Sequence, residues 1–118
     1  MAYVDGFVLV VPKKNINIYK KMAKLAAKVW MEHGALEYRE TVGDDLKTAP
    51  GMLPFPTMTK AKSSDYVLFS WIVYKNKAHR NAVVKKVMKD PRLNAYNEMP
   101  FDMAKMSYGG FKTIVDKS

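Results

Sequence analysis

Polar side chains that could perform chemistry are few in this chain, and two of them interrupt apolar runs. Asp5 lies among the valines, phenylalanine and leucine of residues 3–11, and Ser70 lies within the apolar residues 66–74. Burial disfavours the charged form of a carboxyl group, so an Asp5 enclosed in a cavity is a candidate general acid or base. The alternative is a structural carboxylate that is hydrogen-bonded to a neighbouring strand or paired with an arginine.

A second polar pair lies on the strand expected over residues 35–42. Tyr38 and Glu40 are two residues apart and therefore share one face of that strand. Together with Ser70 they predict a small-molecule pocket, because a few converging polar groups in an apolar enclosure are typical of ligand sites. A buried hydrogen-bond network is the alternative interpretation.

Further candidates lie at the expected ends of helices and turns. His79 and Arg80 begin the second expected helix, where they would supply an acid-base group and an anion clamp; a partly buried structural histidine is the alternative. Asp102 follows a Met-Pro-Phe segment and would either reach the mouth of a cavity or cap a turn. His33, just before Gly34, is expected to interact with the carbonyl end of the first helix.

The candidates divide into catalytic and ligand-binding residues, without a set of metal ligands. The lack of cysteine and the absence of a short spacing between the two histidines argue against a zinc site, and no cofactor is indicated. Gly109 and Gly110 lie within a strand, which indicates a close backbone approach rather than a phosphate-binding loop. The candidate catalytic residues are Asp5 and His79, and the candidate ligand-binding residues are Tyr38, Glu40, Ser70, Arg80 and Asp102.

Two strand-helix-strand halves must position these residues. The pattern predicts strands over residues 3–11, 35–42, 66–74 and 108–115, and helices over residues 15–33 and 76–89. This βαββαβ order is that of the ferredoxin-like α+β sandwich, with both helices on one side of an antiparallel sheet. A length of 118 residues suits one domain, residues 1–118. The apolar stripe predicted for the first helix comprises Ile18, Met22, Leu25, Ala26, Val29, Trp30 and His33.

Two segments between these elements read as irregular. Residues 44–65 lack periodicity and contain Pro50, Pro54 and Pro56. A structureless loop of about twenty residues is unusual in a compact domain, so a lid, an arm that reaches a partner, or a partly mobile segment is expected there. A polar turn is expected at residues 94–97.

Both faces of the predicted sheet are apolar. Val4 and Val8 point to one side of the first strand, while Phe7 and Leu9 point to the other. Strands without polar alternation are typical of sheets that are buried on both sides. Because the helices cover only one side, we expect a second copy of the chain to cover the other, with a shared cavity between the sheets. Asp5 is expected to face that cavity, and Gly6 to allow a helix to approach.

The formal charge of +9 is concentrated on the expected helices. A positive surface field attracts polyanions, so electrostatic RNA binding is one interpretation; a solvated lysine face that maintains solubility is the other. Residues 65–71 lack the basic residue and the glycines of the RNA-recognition strand pattern, so base stacking on the sheet is not expected. The basic residues on or beside the expected helices are Lys13, Lys14, Lys20, Lys21, Lys24, Lys28, Lys75, Lys77, Arg80, Lys85, Lys86, Lys89 and Arg92.

The N-terminal residues have no basic segment ahead of an apolar one, and no run approaches the roughly 18 apolar residues of a membrane helix. The sequence thus predicts a soluble cytoplasmic protein with no membrane contact.

Short segments along nearly the whole chain resemble the YbaA-like family of small bacterial proteins, in the dimeric α+β barrel superfamily. The resemblance implies the barrel fold and the homodimer but no established reaction. Related branches include cofactor-independent monooxygenases, haem-degrading enzymes and muconolactone-isomerase-like proteins, and function taken from them would be analogy from fold. The matching segments are Tyr3–Phe7, Glu32–Tyr38, Gly43–Asp45, Phe69–Tyr74, Ala78–Arg80, Val87–Arg92, Met99–Asp102 and Tyr108–Phe111.

Three functional hypotheses follow from these observations. The first is a homodimer that binds or transforms a small apolar molecule in the cavity between the sheets. The second is an RNA-associated or other polyanion-binding protein that uses the lysine-rich helix faces. The third is a structural dimer without a ligand.

Overall fold

The computed structural model describes residues 1–95 and 99–117, and its core is a four-stranded antiparallel sheet with helices. The α+β fold class expected from the sequence is confirmed. Residues 96 and 97 of the turn expected at 94–97 lie outside the described residues. The strands are β1 (Tyr3–Pro12), β2 (Glu37–Val42), β3 (Asp65–Tyr74) and β4 (Ser107–Lys112), and the helices are α1 (Ile16–Glu32), α2 (Phe55–Thr59) and α3 (Lys77–Met88).

The sheet has the strand order β2-β3-β1-β4. The two central strands, β1 and β3, pair along their full length from Tyr3 opposite Tyr74 to Pro12 opposite Asp65. These are also the two longest and most apolar strands, as expected for strands that are covered on both sides. No helix within residues 1–95 and 99–117 is long and apolar enough to cross a membrane.

The ends of α1 and α3 follow local capping rules. Gly34 has a φ of 112° just after α1, so the glycine that the sequence places at the helix end does adopt the left-handed region. His33 Nε2 donates a hydrogen bond to Asp90 Oδ2 at 2.9 Å, so it ties the end of α1 to the end of α3. Asn76 precedes α3, and its side chain accepts a hydrogen bond from the His79 N–H at 2.8 Å.

Helices α1 and α3 pack side by side on one face of the sheet. Val29 of α1 and Val83 of α3 are fully buried against β3 in one cluster. The stripe predicted for α1 is wrong at its first turn, because Tyr19 is 6% exposed whereas Ile18 is 53% exposed. Tyr19 therefore enters the core, one position later than the sequence pattern placed the stripe.

The orientation expected for β1 is also wrong. Asp5, Phe7 and Leu9 face α1 and α3, whereas Gly6 faces the side of the sheet that these helices leave uncovered. An added Cβ at Gly6 would lie 3.3 Å from the ring of Phe111, so this glycine accommodates a β4 side chain rather than a helix. The alternation could not decide the orientation, since both faces of β1 are apolar.

The segment 44–65 contains helix α2, which corrects the expectation of a structureless loop. This helix contacts β1 and β3, and the Lys13 N–H donates to the Ser64 carbonyl at 2.9 Å near the same end of the sheet. Val10 and Val67, which point away from α1 and α3, are buried at that end. The segment thus covers one end of the otherwise open face.

Candidate functional site

A cavity of about 210 Å³ lies between α1 and the sheet. Its polar groups come from three elements, with Tyr19 on α1, Tyr38 and Glu40 on β2, and Ser70 on β3. The remaining lining is apolar and includes Phe7, Leu9, Met22, Ala23, Ala26 and Trp30, with Met99, Phe101, Met103 and Met106 from the segment before β4.

Glu40 accepts hydrogen bonds from two tyrosines. The Tyr19 hydroxyl donates to Oε1 at 2.7 Å, and the Tyr38 hydroxyl donates to Oε2 at 2.8 Å. Burial is the main cause that raises the pKa of both phenols, followed by the negative charge of Glu40 and the hydrogen bonds to it. Both tyrosines therefore stay protonated at neutral pH and act as neutral donors to the carboxylate.

Ser70 lies directly opposite Glu40 in the register of β2 and β3. It is 4% exposed, and its Oγ has no hydrogen-bond partner among the described residues. The Ser70 hydroxyl lies close enough to Tyr19 for its hydrogen-bonding effect to lower the pKa of Tyr19, against the larger effects that raise it, although Ser70 Oγ makes no hydrogen bond of normal geometry to a described residue. A buried hydroxyl without a partner is uncommon in proteins, and here it borders a cavity.

Asp5 belongs to a separate cluster on the same side of the sheet. It is 2% exposed, and its Oδ1 lies 3.3 Å from Arg80 Nη1. The Arg80 guanidinium also donates to the Tyr108 hydroxyl at 2.8 Å and to the Tyr3 hydroxyl at 3.3 Å. Burial is the largest single effect and lowers the pKa of Arg80, but the charge of Asp5 together with smaller contributions from Tyr108, Tyr3 and Tyr74 raises this pKa overall. The pairing of Asp5 with an arginine matches the structural alternative that the sequence left open.

Trp30 connects the Asp5 cluster with the cavity. Its indole N–H donates to the Tyr74 hydroxyl at 3.0 Å, and its ring centroid lies 6.1 Å from that of Tyr38. Burial, followed by the charge of Asp5, raises the pKa of Tyr74. The two polar clusters are thus parts of one layer of aromatic side chains between the sheet and the helices.

The other two candidates have local structural contacts. His79 Nδ1 accepts a hydrogen bond from the Lys75 N–H at 3.0 Å at the start of α3. Asp102 is exposed, and its Oδ1 accepts from the Ala104 N–H at 2.9 Å, so it caps the short turn that follows. The structure therefore brings Tyr38, Glu40 and Ser70 together at one cavity, and it leaves Asp5, Arg80, His79 and Asp102 outside its lining.

Sequence reasoning missed Tyr19 and the methionine-rich wall of the cavity. Tyr19 lies three residues before Met22 on α1, so a stripe that began at Tyr19 instead of Ile18 would have included it. The opposite wall lies close because Asn15 Nδ2 donates to the Pro100 carbonyl at 3.0 Å and the rings of Tyr19 and Phe101 are 5.8 Å apart. Neither contact between such distant residues leaves a periodic signal in the sequence.

The face of the sheet opposite α1 and α3 is largely apolar and uncovered away from α2. A shallow concavity of about 700 Å³ lies on it, with Val4 and Val8 on β1 and Trp71 on β3. Phe69 is 48% exposed and Phe111 is 62% exposed. We call this area the open sheet face. None of the sequence-predicted site residues belongs to it.

Exposed lysines cover the outer side of the helix layer. Lys20, Lys24 and Lys28 are exposed on α1, and Lys85 and Lys86 are exposed on α3. Within the described ranges, none of these ammonium groups lies within 4 Å of a carboxylate oxygen. The same part of the chain contains no group of three histidine, aspartate or glutamate residues placed to hold a metal ion.

Two solved structures share this fold at low sequence identity. An uncharacterized NIPSNAP domain protein from Burkholderia xenovorans matches with a TM-score of 0.60 and 13% identity, over 98% of this chain and 98% of that chain. Rv0793 from Mycobacterium tuberculosis matches with a TM-score of 0.57 and 8% identity, over 100% of both chains. At such identities these likenesses concern the fold alone.

Sequence comparison gives a closer relationship. Uncharacterized protein YbaA from Escherichia coli strain K12 is 42% identical over 118 residues, which cover 99% of this chain and 100% of the relative. A protein of the same name from Shigella flexneri matches to the same extent. The expected likeness to a YbaA-like family is confirmed. Because residues 2–103 also match the family described as "Protein of unknown function (DUF1428)", the chain belongs to that family.

Proposed function

We propose that this protein is a cytoplasmic homodimer that binds a small, largely apolar molecule in the cavity between α1 and the sheet. Each subunit is a single ferredoxin-like domain, residues 1–118, and the dimer is an α+β barrel. The observation that carries the ligand proposal is the buried Ser70 hydroxyl, which has no partner in the described structure and lies opposite Glu40 in that cavity. The site lies beneath the helices rather than between two sheets, because Tyr38, Glu40 and Ser70 all face α1.

The size and lining of the cavity limit the ligand. An apolar cavity of about 150 Å³ is large enough to hold benzene. A volume of about 210 Å³ therefore suits a single ring with a short substituent. Met99 and Met103 border the cavity and are exposed, and the flexible thioether side chains of methionine can adjust to ligands of different shape. Glu40 is positioned to accept a proton from a bound molecule. The site would then carry out proton transfer as well as binding.

Filling the cavity tests this proposal. Ala26→Leu places a larger side chain into the lining from a helix that tolerates leucine, and Ala82→Leu is a matched control on the exposed surface of α3. Native mass spectrometry of protein from cells, followed by thermal shift with single-ring fragments, would detect ligands. With the original protein and with Ala82→Leu, we expect a retained ligand in native mass spectrometry or a fragment that raises the melting temperature. With Ala26→Leu, we expect neither a retained ligand nor a stabilising fragment. Equal ligand binding by both variants would contradict the cavity as the site.

The open sheet face supports dimerisation with a second copy. β1 and β3 are ten residues long and β2 and β4 are six, so four strands about 4.8 Å apart give a footprint on the order of 500 Å². Protruding side chains make the solvent-accessible area of this face larger than its flat footprint. That brings it toward the roughly 800 Å² that each partner buries in a specific interface. Glu37 and Arg39 form an ion pair at the β2 edge, 3.1 Å apart, so a two-fold copy would meet both charge signs at its rim.

The charge distribution also favours a second copy of the chain at the open sheet face. The exposed lysines of α1 and α3 lie on the opposite side of the sheet, so two copies can meet at the open sheet face without bringing these lysines together. Analytical ultracentrifugation at micromolar protein should give a dimer. A stable monomer under those conditions would contradict the barrel.

The exposed lysines on α1 and α3, which make no ion pair with a described residue, support a second candidate function, electrostatic binding of RNA or another polyanion. Polarisation titrations of mixed RNA at two salt concentrations would test it, because binding by phosphate neutralisation weakens steeply with salt. No binding at low salt would exclude this candidate. A structural dimer without a ligand is the remaining alternative, and the cavity-filling experiment distinguishes it from the ligand-binding proposal.

A further inference from the structure

We propose that the ligand of the cavity is a small organic ammonium ion with an apolar, single-ring body, recognised by Glu40 and Ser70. This inference rests on the proposed binding function and adds the charge class of the ligand. It follows from three properties of the cavity: which polar groups have protons to donate, which charges lie near Glu40, and which side chains form the walls.

The polar groups of the cavity are mostly hydrogen-bond acceptors. Each tyrosine hydroxyl has one proton, and both Tyr19 and Tyr38 donate theirs to Glu40. Their oxygens, like the carboxylate, can then only accept further hydrogen bonds. Ser70 Oγ can accept as well, and it makes no hydrogen bond to a described residue. A molecule with several donors complements this set, whereas a carboxylate or phosphate does not.

Among the described residues Glu40 has no positively charged partner within 4 Å, although the chain has 20 basic residues. In the described part of the chain, no lysine, arginine or histidine nitrogen lies within 4 Å of its carboxylate oxygens. Lys20 and Lys24 line a groove of about 280 Å³ on the outer side of the same carboxylate without reaching that distance. Partly buried charges are costly unless they are paired, and a ligand ammonium would supply the missing charge inside the cavity.

The position of Ser70 allows one ammonium group to contact both side chains. Residues directly opposite on neighbouring antiparallel strands have Cβ atoms about 5 Å apart, which a single N–H-rich group can bridge. The aromatic rings of Trp30, Tyr38 and Phe101 supply the surrounding walls. Aromatic faces attract organic cations and accommodate an apolar body at the same time.

A charge series of three ligands of similar shape tests the inference. The probes are benzylamine, which is a cation at neutral pH, neutral benzyl alcohol, and the benzoate anion. Calorimetric titration at low salt should give at least about tenfold tighter binding for benzylamine than for benzyl alcohol, with benzoate the weakest, because one charge contact of moderate strength changes Kd by that factor. This comparison uses only the unmodified protein and needs no variant to fold.

A variant locates the charge preference at Glu40. Glu40→Gln should reduce the affinity for benzylamine to that for benzyl alcohol, and Asp45→Asn, an exposed carboxylate elsewhere, should leave the preference unchanged. If benzyl alcohol binds as tightly as benzylamine, the cation proposal is wrong while binding in the cavity stands. If no probe binds the unmodified protein, both the cation proposal and the single-ring site are wrong.

Discussion

Glu40 and Ser70 lie directly opposite each other on β2 and β3 and border the same cavity, but they differ in how their polar atoms are satisfied. The carboxylate accepts two hydrogen bonds, whereas the serine hydroxyl makes none to a described residue. A fold stabilised only by its own contacts gains nothing from such a hydroxyl. Glu40 therefore belongs to the network that holds the structure, whereas the Ser70 hydroxyl adds no hydrogen bond to that network among the described residues.

Removing the Ser70 hydroxyl should leave stability unchanged or raise it. An unsatisfied buried polar group costs about 1 to 3 kcal/mol, so Ser70→Ala should change the free energy of unfolding by about 0 to 1 kcal/mol in the favourable direction after the small packing loss. Thr59→Val is the matched control, because the buried Thr59 hydroxyl donates to the Phe55 carbonyl at 2.8 Å and its loss should destabilise by about 1 kcal/mol. Urea unfolding measures both; a destabilisation by Ser70→Ala as large as that of the control would mean that Ser70 has a structural partner.

Alkaline pH should weaken the fold through Tyr19 and Tyr38. Their folded pKa values are raised above the ordinary value of 10.0, so the unfolded chain loses these protons first as the pH rises. The stabilising contribution of each tyrosine is complete below about pH 9 and falls as the pH rises past the unfolded value of 10.0, by about 1.4 kcal/mol between about pH 9 and pH 11. Tyr38→Phe should reduce this slope in urea unfolding experiments. Parallel pH profiles for the variant and the original protein would contradict the raised pKa.

The ion pair of Asp5 and Arg80 should show strong coupling in a double-mutant cycle. Arg80→Met leaves a 2% exposed carboxylate without its positive partner, and breaking a buried pair in this way typically costs about 3 to 5 kcal/mol. Asp5→Asn together with Arg80→Met should cost less than the sum of the two single changes, since the uncompensated charge is then removed. Additive changes in the free energy of unfolding would indicate that solvent already screens the pair.

The arrangement of strands and helices was readable from the sequence, but the orientation of the sheet was not. The apolar runs, Pro12 and Gly34 place the main elements correctly, because each acts on neighbouring residues. The helix-facing side of β1 carries Asp5, which pairs with Arg80, and a contact between residues 75 positions apart leaves no periodic signal in the sequence. Helix α2 was missed for a different reason, since it has only five residues and contains Pro56, which is too short a segment to reveal a helical period.

The candidate site was partly predictable. Tyr38 and Glu40 were grouped correctly, because alternation along one strand fixes a shared face, and Ser70 was placed with them. Tyr19 was not, although its hydrogen bond to Glu40 completes the network. At the first turn of α1 Tyr19 rather than Ile18 enters the core, and only packing against the sheet decides between these neighbouring residues.

Acid should remove the stabilisation that Asp90 supplies. Hydrogen bonds from Arg92, then from His33, hold the pKa of Asp90 below its ordinary value of 3.8. A lowered folded pKa stabilises the fold at pH values above the ordinary one, and this contribution is lost as the pH falls through the folded pKa. Asp90→Asn should therefore be destabilising at neutral pH, by an amount that shrinks toward about pH 2. The exposed Asp45→Asn variant should show no such difference, and a deficit of Asp90→Asn that is constant with pH would contradict the assignment.

A charge on the open sheet face should prevent dimerisation without unfolding the subunit. Phe69 is 48% exposed in the single chain, and its ring lies 5.5 Å from that of Trp71, near the centre of the apolar area. Phe69→Lys should keep the subunit folded, because the side chain already contacts solvent, yet in the dimer it would place two ammonium groups against an apolar surface. Central aromatic residues of interfaces typically contribute about 2 kcal/mol or more to the binding free energy, and in a two-fold dimer the substitution occurs twice.

Met88→Lys is the control, since Met88 is also exposed but lies on α3, across the sheet from the open face. Sedimentation should give a monomer for the first variant and a dimer for the second, whereas a dimer in both cases would mean that the subunits meet through another surface.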